Sequence, residues 1–129
     1  MRILYLALPL ILACTAPATG PEADAGTGEG VLIGRSTHMR SGNFTYRLGE
    51  VERNGNRLRV ALRFSNGTHR SYHSVMLRVV LFGDGGEIRA AQLPVGGILA
   101  EQTKPVVARI DDVTFRVQDV TLELIYALP

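Results

Sequence analysis

Residues 56–67 read NRLRVALRFSNG, and their alternation decides the fold class. Leu58, Val60, Leu62 and Phe64 take one set of alternate positions, and Arg57, Arg59, Ala61 and Arg63 take the other. Successive side chains of a strand point to opposite faces, whereas a helix would spread these apolar residues around its circumference. The stretch therefore reads as a strand with one dry face and one arginine-bearing wet face. Asn54-Gly55 lies just before it, a dipeptide suited to the positive φ of a tight hairpin turn. Upstream of that turn Phe44, Tyr46 and Leu48 alternate with Thr45 and Arg47, so 43–53 and 57–65 are expected to form a hairpin.

The same period continues downstream in SVMLRVVLFGDGGEIRAA, residues 74–91. Val75, Leu77, Val79 and Leu81 can face one way, with Met76, Arg78, Val80 and Phe82 on the other. Both sets are largely apolar, which predicts a central strand. Gly83-Asp84-Gly85-Gly86 breaks it, and 87–92 returns. Loops are expected around 94–97 and 102–105, and further strands at 106–110 and 120–127. Pro94 and Pro105 are placed outside the strands because proline has no N–H to give a ladder. Asp111-Asp112 reads as a polar turn. About seven short strands and no helical stripe predict an all-β fold, a two-sheet sandwich, with a small closed barrel as the alternative. The 99 residues from Val31 to Pro129 suit one domain with a modest core.

The opening MRILYLALPLILACTAP is of a different kind. Its apolar run, Ile3 to Ala13, is too short for a hydrocarbon core that needs about 20 apolar residues. Arg2, the run and small Ala13 fit an export signal. Leu10-Ile11-Leu12-Ala13 before Cys14 resembles the lipobox of bacterial lipoproteins. That resemblance implies a signal peptide over 1–13 and a diacylglycerol on Cys14, the single cysteine of the chain. Thr15 in place of Asp after the cysteine resembles outer-membrane sorting, with the domain in the periplasm. The alternative is an ordinary secreted protein with an incidental cysteine. The stretch TAPATGPEADAGTGEG, 15–30, lacks any large apolar side chain, so 14–30 is expected to be a lipidated cysteine with a flexible tether and 31–129 the domain.

Residues 58–110 resemble the small immunoglobulin-like modules of bacterial envelope lipoproteins, among them the FxLYD-type domains. The residues concerned are Leu58–Phe64, Asn66-Gly67, Val75–Phe82 and Asp84 with Gly85; the family's tyrosine-aspartate pairing is absent, and Phe82-Gly83-Asp84 stands in its place. The resemblance implies an immunoglobulin-like sandwich that binds or scaffolds rather than catalyses.

No residue pattern announces catalysis. Cys14 is spent if it is lipidated, no serine lies in a nucleophile motif, and the glycines at 83–86 lack the lysine and helix of a phosphate loop. The chain is therefore expected to be a non-enzyme without cofactors. His69, His73, His38 and Met39 offer imidazole and thioether donors for copper, the alternative function. Charge is more informative. From Val31 to Val79 nine arginines face two acids, whereas from Val80 to Pro129 four basic residues face seven acids. Arg57, Arg59 and Arg63 form a basic stripe, and Arg70 and Tyr72 lie in a predicted loop after that strand. These five are the candidate contact residues for an acidic envelope protein partner, or for anionic lipid or glycan at the envelope, the alternative being a solvated strand surface. An exported chain whose stripe lacks interleaved aromatics is not expected to bind nucleic acid. Asn43-Phe44-Thr45 and Asn66-Gly67-Thr68 match the glycan-acceptor pattern, which carries no meaning in a bacterial lipoprotein.

Overall fold

The computed structural model describes residues 28–34 and 41–129; the expected signal segment, Cys14, most of the tether, His38 and Met39 lie outside them. The strands in chain order are β1 (Gly28–Val31), β2 (Ile33–Gly34), β3 (Phe44–Asn54), β4 (Arg57–Asn66), β5 (Tyr72–Gly83), β6 (Ile88–Ile98), β7 (Thr103–Ile110) and β8 (Val117–Leu128). One sheet has the order β1-β3-β4-β7, the other β2-β8-β5-β6. This is an open, immunoglobulin-like two-sheet sandwich, not a closed barrel, with eight strands among the described residues where the sequence suggested about seven.

The hairpin expected around Asn54-Gly55 is present. Asn54 pairs with Arg57, and Gly55 has a φ of 65°, a region open to glycine without a steric penalty. The second hairpin, β5–β6, turns at Gly83–Glu87 with Gly86 at a φ of 87°. From there β7 crosses back to add beside β4, and β8 crosses again to add beside β5. Strand β5 is thus central, as its two apolar faces predicted. Its inward set, Val75, Leu77, Val79 and Leu81, is almost wholly buried.

The core is the space between the sheets, filled by the dry faces that the alternation assigned. Leu58, Val60, Leu62 and Phe64 are all buried. Phe44 stacks on Phe64 with ring centroids 5.5 Å apart, and Tyr72 meets Phe44 edge-on at 5.4 Å. Tyr72 opens β5 with 6% exposure, so it is a core residue and not the loop contact expected from sequence. An aromatic ring at this entry point closes the end of the sandwich, which outweighs anything a loop position would offer it.

Two proline assignments are also corrected. Pro94 lies within β6 and Pro105 within β7, so the loop expected at 94–97 is strand and only Gln102 of the loop expected at 102–105 lies outside one. Both strands are sheet edges, where one side of the ladder goes unpaired and a missing N–H does no harm. The true β6–β7 connection is Leu99–Gln102. Among the described residues pairing includes Gly28: main-chain ladders need no bulky side chain, and β1 aligns Gly28 with Leu48 and Val31 with Thr45.

Polar-tipped side chains reach from one sheet to the other on both flanks of the sandwich. Lys104 on β7 donates to the Val95 and Gly97 carbonyls of β6 at 2.8 and 2.9 Å. On the other flank Tyr46 of β3, one strand in from the edge, hydrogen-bonds with the Leu122 backbone on β8. A Cβ on Gly30 would fall 2.5 Å from the Tyr46 hydroxyl, so only glycine lets β1 pass over that ring. Burial pushes the Tyr46 phenol above its usual range, and Asp119 adds to the effect.

Candidate binding face

The outward face of the β1-β3-β4-β7 sheet carries the stripe read from the sequence. Arg57, Arg59 and Arg63 alternate with the buried residues of β4, and Arg57 and Arg63 are exposed. The sheet adds two arginines that the stripe alone did not include. Arg47 of β3 stands directly across from Arg63, and Arg109 of β7 directly across from Arg59. Directly opposed residues in an antiparallel pair have Cβ atoms about 5 Å apart, and like charges there are destabilising. This face holds two such pairs.

Carboxylates offset part of that charge. Glu29 of β1 accepts from Arg47 Nε at 2.6 Å, Asp111 accepts from Arg57 Nε at 2.9 Å, and Glu52 lies 3.6 Å from Arg59. These pairs are largely exposed, and such pairs are worth at most about 1 kcal/mol each. Arg63 and Arg109 have no carboxylate partner among the described residues.

Two hollows adjoin the Arg47–Arg63 pair. An open groove of about 520 Å³ is lined by those arginines and by the hydroxyl residues Thr45, Ser65 and Thr103, with Glu29 at its side. Ser65 Oγ and Thr103 Oγ1 are 2.9 Å apart within it. The other, about 240 Å³, is lined mainly by apolar groups, among them Gly49, Ala61 and Pro105, again with Arg47 and Arg63. It exists because β3 bulges between Leu48 and Val51, leaving Gly49 opposite Ala61.

Comparison with protein-family models, curated proteins and solved structures finds no match. The reading of the face therefore rests on its own geometry.

The remaining candidates sit elsewhere. Arg70 is exposed in the β4–β5 loop, and its carbonyl accepts from Asn66 Nδ2 at 2.8 Å and from Thr68 Oγ1 at 3.0 Å. His69 is highly exposed, with Nδ1 3.7 Å from Glu101. His73 is exposed at the start of β5. Among the described residues no three His, Cys, Asp or Glu side chains converge to hold a metal ion.

Sequence reasoning missed Asn66, which organises this end of the molecule. It is 1% exposed, and its Nδ2 donates to the carbonyls of Arg70 and Leu99 at 2.8 and 3.0 Å. Its Oδ1 accepts from Thr68 N at 3.0 Å and Thr68 Oγ1 at 2.7 Å. The dipeptide Asn66-Gly67 signalled a turn, but only the fold shows that the side chain is walled in by two loops.

Proposed function

We propose that the chain is a lipid-anchored lipoprotein of the bacterial outer membrane whose sandwich, facing the periplasm, binds or scaffolds an acidic envelope protein and performs no catalysis. The observation that carries the binding half is the pair of like-charge contacts, Arg47 with Arg63 and Arg59 with Arg109, on one open sheet face. A fold keeps opposed cations at a cost in stability when an anionic partner compensates them in the complex. The exposed outer sheet face and the resemblance of 58–110 to envelope immunoglobulin-like modules support the same reading. The anchoring half rests on the resemblance of Leu10–Cys14 to a lipobox and on the physical need for more than one acyl chain to hold a protein stably at a membrane.

Two measurements test the halves separately. The intact mass of membrane-extracted protein should begin at Cys14 and carry the diacylglycerol; an unmodified thiol or a different first residue removes the anchor. For the face, Arg59→Glu, Arg63→Glu and Arg109→Glu together should abolish most partner capture in crosslinking from intact envelopes. Equal charge change on the acidic half, at Asp84, Glu87 and Asp119, should leave capture nearly unchanged. Because rim charges act chiefly on encounter, the loss should appear first in association rate and grow as salt is lowered. Capture that survives the triple change reduces the stripe to a solvated surface.

A further inference from the structure

The chemistry of the acidic partner can be specified further, on the footing that the arginine face is its binding surface. Along β4 the outward positions are Arg63, Ala61 and Arg59. Arg63 is joined from the side by Arg47, and Arg59 by Arg109. The two cationic stations are four residues apart, about 13 Å along an extended strand. Beside the Arg47–Arg63 pair, and reaching along β4 to Ala61, lies the apolar depression of about 240 Å³ created by the β3 bulge. Along β4 an arginine pair, Ala61 at the border of the hollow and a second arginine pair therefore follow one another at two-residue steps.

We infer that this face reads an extended polypeptide segment with an acidic, an apolar and an acidic side chain at positions i, i+2 and i+4. An extended chain shows alternate side chains on one face at about 6.7 Å intervals, the same step as β4 itself. Laid along β4, such a segment sets each carboxylate over an arginine pair and its apolar side chain over Ala61. Arginine suits the task, since its planar fork can take a carboxylate through two hydrogen bonds. A sulfated or phosphorylated polymer would satisfy the cations but leave the apolar hollow unfilled, which is why a polypeptide is the occupant.

The test uses the full chain in neutral detergent and three fluorescent nonapeptides read by anisotropy. One has the core Asp-Ser-Leu-Ser-Asp, one the permuted core Asp-Asp-Leu-Ser-Ser, and one replaces the leucine by serine. The ordered peptide should bind about tenfold tighter than either comparison peptide. Arg63→Glu with Arg109→Glu should remove binding of all three, whereas Ala61→Leu, which fills the hollow, should erase only the advantage of leucine. Equal binding of ordered and permuted peptides overturns the stepwise reading while leaving an acidic partner in place. Failure of every peptide, with arginine-dependent binding to vesicles containing anionic phospholipid, overturns the polypeptide assignment in favour of a lipid surface. If the envelope partner is also captured undiminished by the charge-reversed protein, the functional reading of the face falls with it.

Discussion

Phe44→Ala is expected to destabilise the domain by about 3–5 kcal/mol, the range for deleting a buried aromatic side chain. Phe44 is fully buried, stacked on Phe64 and met edge-on by Tyr72, so its removal opens a cavity bounded by both sheets. Strand β4 brings one of those rings and β5 the other, and neither can shift without breaking its ladder. Native domains have a net stability of only about 5–15 kcal/mol, and one of this size lies toward the low end. A urea-denaturation midpoint shifted by less than about 1 M would show that the site collapses around the gap. Leu77→Ala, at an equally buried position on the central strand, should lose about 2–5 kcal/mol in the same assay.

Asn66→Ala should cost about 2–4 kcal/mol although it deletes few atoms. Four hydrogen bonds around a side chain that is 1% exposed disappear, two of them holding the β4–β5 and β6–β7 loops to it through the carbonyls of Arg70 and Leu99. Asn66→Asp keeps the shape and sharpens the test. It sets a carboxyl oxygen against those two carbonyl oxygens, so the folded state disfavours ionisation and raises the carboxyl pKa above its unfolded value. By linkage, the folded variant is then most stable below the ordinary Asp range near pH 4 and loses stability as pH rises through the raised value. Urea midpoints at about pH 4 and pH 7 should diverge for Asn66→Asp far more than for the native chain. Equal divergence would mean that the site admits water or rearranges.

The strands with period-two alternation are legible in the sequence because their burial is decided residue by residue. Leu58 to Phe64 and Val75 to Leu81 are buried where the pattern puts them. Edge strands are not legible to the same degree. β6 contains proline and glycine, and β7 proline, residues that disfavour a central strand, yet an edge accepts them, and edge position is a property of the sheet. The binding face divides in the same way. Arg57, Arg59 and Arg63 declare themselves within one strand, whereas the opposition of Arg47 to Arg63 and Arg109 to Arg59 depends on register between separate strands. Tyr72 misleads because a tyrosine between histidine, arginine and serine looks polar by its neighbours, while its ring is claimed by Phe44.

The route of β1 and β2 also determines where the molecule yields to mechanical force. A pull that reaches Gly28 from the N-terminal side loads an edge strand held by four aligned residues, then buried Leu32, then the two-residue contact with β8. Stripping residues 28–34 would release about 23 Å of chain while β3, β4 and β7 stay zipped together. Glu29 leaves with that segment, so Arg47 loses its carboxylate. The edge that takes the strain and the arginine face belong to one sheet, and tension there increases the positive charge that the face presents.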